Sequence, residues 1–265
     1  MSLRRRTVVF TGLAAALGGA GVWSATRARA AVSIRDAQAV PVEGAPDETL
    51  IFAQLAAALG PDRLLSATLV GADEVRIISD GALVLPAGST PVLAADGAHL
   101  RARLRGGLAE GQVLPLTLSF ETAGRVTTRA TAGAPFRPGG AADLGLLSLG
   151  GICTTGPGEP APRLTLSVTP ADGGWHLAVA AEDFTFTSPD RTLGHYPGQG
   201  HGHLYLNGLK LQRMYAPEAR IGQLPPGDYV ASVTLNTNDH RAYVVEDRPV
   251  EARVSFAVPS GATHG

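Results

Sequence analysis

Several things are scarce in this 265-residue chain. There is a single cysteine, Cys153, so no internal disulfide can form and no CxxC redox pair exists. Aromatic residues make up only 5%, and methionine occurs only at Met1 and Met214. There is no GxSxG elbow, no HExxH helix and no Gly-rich phosphate loop, which removes the common hydrolase, zincin and nucleotide-binding signatures. Basic residues are not in excess: 22 Lys and Arg stand against 23 Asp and Glu, with no basic patch. Nucleic acid is therefore not an expected partner. Beyond the first thirty residues no apolar run is long enough to span a bilayer. Sustained helical periodicity is missing too, the ambiguous ETLIFAQLAAALG segment excepted.

What the N-terminus does contain is an address. Arg4, Arg5 and Arg6 precede the apolar, Gly/Ala-rich run VVFTGLAAALGGAGVW, and an ARA-AV junction follows at Ala30–Ala31. These are the charged, apolar and small-residue regions of an export signal. The SLRRRTVV opening resembles a twin-arginine signal, whose cargo is often exported folded. Residues 1–30 are expected to be removed, leaving a protein of the periplasm or extracytoplasmic space that does not span the membrane. Their loss takes five arginines with it and leaves seventeen basic against 23 acidic residues, a formal charge of −6.

The mature text is β-like. Short alternating runs such as DRLLSATLV, AHLRARLRG, QVLPLTLSFE and RVTTRAT are separated by Gly, Pro and Asp turns. VSIRDAQAVPV reads as an edge strand ended by Pro41. Residues 131–162 are rich in Gly, Pro and Ala, with one apolar island at Leu144–Leu149, and read as a linker. About seven further strands follow, from RLTLSVTP to VEARVSFAVP, at the spacing of an immunoglobulin-sized sandwich. The expected fold class is all-β: two β-sandwich domains, over 31–130 and 163–260, with 261–265 a frayed tail carrying His264.

The chemistry concentrates in HGHLYLNGLKLQRMY, His201 to Tyr215. Asn207–Gly208 is a strong signal for a two-residue type I′ hairpin. A regular ladder from that turn pairs Leu206 with Leu209, Leu204 with Leu211, His203 with Gln212 and His201 with Met214. Side chains alternate across a strand. One face then carries His201, His203, Tyr205, Lys210, Gln212 and Met214, and the other carries leucines for a core. Imidazole with a thioether selects copper, as Cu(I) or Cu(II); imidazoles alone hold zinc equally well. His240, in the LNTNDH turn that ends a later strand, is the expected third nitrogen ligand. His195, in the GHYPGQGHGH loop, is a further candidate. The candidate metal ligands are thus His201, His203, His240, Met214 and His195. Cys153, His176 and Tyr205 have ordinary structural explanations. No nucleophile accompanies Asp239 and His240, so a catalytic role is not expected, although an exposed copper beside a cleft would make an oxidoreductase.

Two resemblances bear on this. DRLLSATLVGADEV, LVLPAGSTPVLAADGAHL and LRGGLAEGQVLPLTLSFETAG, within about residues 34–129, resemble the PCuAC periplasmic copper chaperones. That resemblance implies a cupredoxin-like sandwich carrying Cu(I) on a His/Met site, and an acceptor or donor protein as partner. The family's His-x-Met falls on His99 and Arg101 here, so the usual centre is degenerate. GQGHGHLYLNG, LPPG and LNTNDH, over about 164–259, resemble a group of exported β-sandwich proteins with a GHxHxYxNG and NDH signature. The combined expectation is a copper-buffering or copper-delivering protein whose site lies in the second sandwich, with a non-catalytic assembly protein as the competing reading.

Overall fold

A computed structural model of the protein describes residues 32–136, 151–188 and 195–260. The signal-like opening, the Leu144–Leu149 island and His264 lie outside the described residues. The turn-punctuated text folds as twenty strands, with no helix among the described residues. The first half supplies β1 (Val32–Val42), β2 (Ala45–Ala57), β3 (Asp62–Leu69), β4 (Ala72–Ile78), β5 (Val84–Leu85), β6 (Val92–Leu93), β7 (His99–Leu104), β8 (Val113–Phe120) and β9 (Gly124–Ala132). A short β10 (Ile152–Thr154) leads to β11 (Arg163–Ala171), β12 (Gly174–Glu182) and β13 (Thr185–Phe186). Then come β14 (Gln199–Leu206), β15 (Leu209–Met214), β16 (Glu218–Gly222), β17 (Gly227–Asn236), β18 (Ala242–Val245), β19 (Arg248–Pro249) and β20 (Glu251–Val258).

The ambiguous Ala/Leu-rich segment is a strand. Ala53, Leu55 and Ala57 are buried while Gln54 and Ala56 are not, a period of two that lets β2 lie between β1 and β7. Tertiary pairing overrides the helix preference of alanine and leucine. β1 is not a free edge, because Gln38 and Ala39 also pair in parallel with Thr131 and Ala132 of β9. Hydrogen-bonded pairs give the order β4–β7–β2–β1–β9–β8–β3 in the first half. In the second half β15, β14, β17 and β20 follow one another, and β11, β12 and β16 form a separate three-stranded sheet.

The chain is thus all-β, with two sheet systems, and the described residues belong to one compact unit. β6 bonds to β2 through Ala53 and Gln54 and to β15 through Lys210, so the two halves are stitched along strand edges. Leu55, Leu100 and Leu118 from the first half share an apolar core with Trp175, Leu204 and Val233 from the second. Within the segment expected as a linker, Thr131 and Ala132 continue β9, Phe136 bridges to Val42, and β10 runs parallel to β18. No helix among the described residues is long and apolar enough to cross a membrane.

Candidate metal centre

The hairpin forms at the expected turn. Asn207 and Gly208 have φ of 49° and 81°, as a type I′ turn requires. The Asn207 side chain accepts a bond from Val230 N at 2.9 Å and donates one to Ala82 O at 3.1 Å. Leu206 faces Leu209 and Tyr205 faces Lys210, but the next pair is Leu204 with Gln212. Leu211 is an extra residue, a β-bulge that the sequence does not announce. Beyond a bulge the register slips by one, and a one-residue slip moves a side chain to the opposite face. His203 therefore faces Arg213, and Met214 lies opposite Gly202 rather than His201.

This corrects the pairing expected for Met214. Its side chain is 2% exposed and packs in the leucine core, on the far face of β14 from the imidazoles. Met214→Leu conserves volume, so it is expected to leave metal affinity unchanged and cost less than about 1.5 kcal/mol of stability. Metal titration and thermal melting of that variant check this; a loss of affinity would return the thioether to the site.

His201 and His203 point together from β14 and are buried, at 0% and 5% exposure. β17 runs antiparallel beside them with Asn236 opposite His201. The chain leaving β17 then turns back tightly: His240 N donates to Thr237 O and Thr237 N to Arg241 O, both at 2.9 Å. His240 sits in this turn at φ 65°, a left-handed conformation that histidine tolerates better than most residues. Its ring centroid is 5.0 Å from that of His201, edge to face. One nitrogen from each of His201, His203 and His240 lies within 4.8 Å of the others. His201 Nε2 and His203 Nε2 are 3.0 Å apart. Two nitrogens bound to one metal at ~2.0 Å stand roughly 2.8–3.4 Å apart for angles between square and tetrahedral, so the pair fits a shared ion. His201 Nδ1 is buried without a partner. His240 is exposed and opens the cluster to solvent, beside Tyr215, whose ring is 5.7 Å from His201.

Asp96, which sequence reasoning missed, stands behind His203. Its Oδ2 lies 2.9 Å from His203 Nδ1, 2.6 Å from Lys210 Nζ and 3.0 Å from the Tyr205 hydroxyl. An ionised carboxylate only accepts, so Nδ1 carries the proton and the Nε2 lone pair faces His201. The Asp96 loop is docked on the hairpin turn, with Ala98 N donating to Gly208 O at 2.7 Å. A Cβ on Gly97 would come within 2.7 Å of that same oxygen, so only glycine permits this approach. Asp-Gly is a turn signal in the sequence, but nothing in the text connects it to His203.

Burial dominates the proton affinities. It drives the His201 imidazole down to about 3, helped by His203 and His240, and His203 down to about 4 against the pull of Asp96. Burial pushes the Asp96 carboxyl up, but His203 and Lys210 outweigh it and hold the group well below the ordinary carboxylate range. Both histidines therefore stay neutral, as metal ligands must. Unfolded, they protonate near 6.5, so below that pH the unfolded chain takes up more protons than the folded one. The metal-free protein is expected to keep its full stability above pH 6.5 and lose it progressively as pH falls through about 4 toward about 3. Calorimetric melting across that window checks this; His203→Gln should remove only the share of His203 and leave the share of His201, so an unchanged slope in that variant would exclude His203 from the effect.

The other candidates lie elsewhere. His195 is beside the buried Cys153, with ring nitrogens 3.6 and 3.8 Å from the sulfur, and is not in the three-histidine cluster. His176 approaches Glu218 at 3.5 Å on β12 and β16. His99 is buried with Nδ1 on Gly97 O at 3.0 Å, and Arg101 pairs with Glu48 at 3.7 Å. Gly200 and Gly202, which flank His201, are buried and face inward. A Cβ on Gly202 would lie 3.3 Å from Met214 and Phe186.

No family model matches the chain, nor does any curated protein. Among solved structures, a copper-bound PCuAC domain from PmoF2 is 25% identical and covers 40% of this chain and 94% of its own, with a TM-score of 0.36. The apo PCuAC domain from PmoF1 is 22% identical over 40% of this chain and 95% of its own, TM-score 0.37. The N-terminal periplasmic domain of ScsB from Proteus mirabilis is 10% identical over 88% and 95%, TM-score 0.24. The match to PCuAC-type domains is distant and partial.

Proposed function

We propose that this protein binds one copper ion on His201, His203 and His240 and buffers or delivers it outside the cytoplasm, without catalysing a reaction. The observation that carries the reading is the convergence of three imidazoles within 4.8 Å, two of them buried and neutral. Copper stands highest in affinity among divalent first-row ions for such nitrogen sets, and imidazole suits it in both oxidation states. Zinc is the competing ion, since three histidines and an open position also describe its sites. Two histidines fixed on a strand supply the rigid part of the site, and His240 supplies the exposed part. An acceptor or donor protein would reach the ion at the His240 side. The signal-like residues 1–30 support export, and the first and second halves belong to this reading as cupredoxin-like and immunoglobulin-like scaffolds.

Titration of the mature protein tests it, with Cu(I) under anaerobic competition against a chromophoric chelator, and with Cu(II) and Zn(II) separately. One equivalent of copper bound more tightly than zinc is the expected result. Binding of neither ion, or zinc held in preference, would overturn the assignment to copper.

A further inference from the structure

The charge of the ion is the next question, and the groups behind the histidines bear on it. All three candidate ligands are neutral imidazoles. The carboxylate closest to them, Asp96, is committed to Lys210 Nζ at 2.6 Å, with His203 Nδ1 at 2.9 Å and the Tyr205 hydroxyl at 3.0 Å on the same oxygen. Lys210 Nζ is itself 3.1 Å from His203 Nδ1, so the ammonium stands at the back of that ligand's ring. Both side chains are largely buried, at 13% and 17% exposure, where solvent screens their fields weakly. Asp239, next to His240, is in turn paired with Arg241 at 2.9 Å. Arg213 lies near His201 and His203 as a further positive charge. No uncompensated anion is therefore on hand among these groups to offset a dication.

Burying charge without compensation is costly, and the cost rises steeply with the charge. We infer that the Lys210–Asp96 pair is the specificity determinant of this site, biasing it toward monovalent Cu(I) over Cu(II) and Zn(II). The inference rests on the proposed three-histidine copper site. Asp96 acts as a positioning residue that fixes the His203 tautomer. Lys210 cancels the charge that would otherwise make the same carboxylate a counter-ion for a divalent metal.

The two partners predict opposite shifts. In Lys210→Met, Asp96 is left uncompensated beside His203, and affinity for Cu(II) and Zn(II) is expected to rise at least tenfold relative to Cu(I). The reduction potential of bound copper then falls, by about 59 mV per tenfold change for a one-electron couple. In Asp96→Asn the ammonium remains and the carboxylate is gone, so the divalent ions weaken relative to Cu(I) and the potential rises. Lys210→Arg, which keeps the charge, should restore the wild-type ratio. The measurement is competitive titration of the three ions on the full mature chain, with potentiometry of the copper-loaded protein.

Local damage to packing would weaken all three ions alike and leave the potential in place, which overturns the inference. So would shifts of the same sign in both variants. If the wild-type chain binds none of the ions, the proposed function fails and takes this inference with it. If it binds copper and the ratio ignores Lys210, only the inference falls.

Discussion

Replacing His201 and His203 together by alanine is expected to lower copper affinity by more than about 100-fold. Loss of a group that merely orients a ligand already costs roughly 10–100-fold, and these two rings supply two of three nitrogens in the cluster. His240→Ala is the companion variant: its ring is exposed on a turn, so its removal leaves the interior undisturbed. It should weaken binding less than the double replacement, with only a small drop in melting temperature, since alanine tolerates the left-handed φ of 65° less well than histidine. Retention of one tight equivalent in the double variant would show that the ion is held elsewhere, and competitive titration decides it.

Gly200→Ala is expected to act through the backbone. A Cβ at this position would fall inside contact distance of the Asn236 carbonyl oxygen, at the place where β14 begins and the Thr237–Arg241 turn leaves β17. A main-chain carbonyl held in a ladder cannot step aside as a flexible side chain can. Overpacking of this kind costs about 1–3 kcal/mol, sometimes more. The strand carrying two ligands would be pushed from the turn carrying the third, so metal affinity should fall together with the melting temperature. Gly44→Ala is a suitable control, since a Cβ there meets nothing within 4 Å although its φ is 81°. It should cost some stability and spare the metal. Normal binding in Gly200→Ala would mean that the turn is not held by that close approach.

The contrast between what could be read from the text and what could not follows the range of each interaction. The hairpin was legible because Asn207–Gly208 carries its own backbone preference. The shared face of His201 and His203 was legible because alternation along a strand is local. His240 was within reach because its turn ends a strand, and that strand proves to lie directly beside β14. Met214 was misplaced because Leu211 is an ordinary apolar residue, and no glycine or proline marks the bulge it makes. His195 was misdirected because its neighbour Cys153 comes from a strand 42 positions earlier. Asp96 was invisible for the same reason at greater range. The fold class, by contrast, was legible throughout, since alternating runs and turn residues repeat along the whole chain.

The distance along the chain between the partners of Asp96 has a consequence in time. Its bonds to Tyr205 and Lys210 close separations of 109 and 114 positions. Pairings of such long range are slow to form, because loop closure costs entropy before the contact repays it. The two histidines can find each other as soon as their own strand exists, whereas the carboxylate that orients one of them arrives only when both halves of the molecule have come together. On the inferred role of Lys210 and Asp96, selectivity among ions thus depends on contacts that span more than a hundred positions, whereas the shared face of the two histidines depends on a single strand.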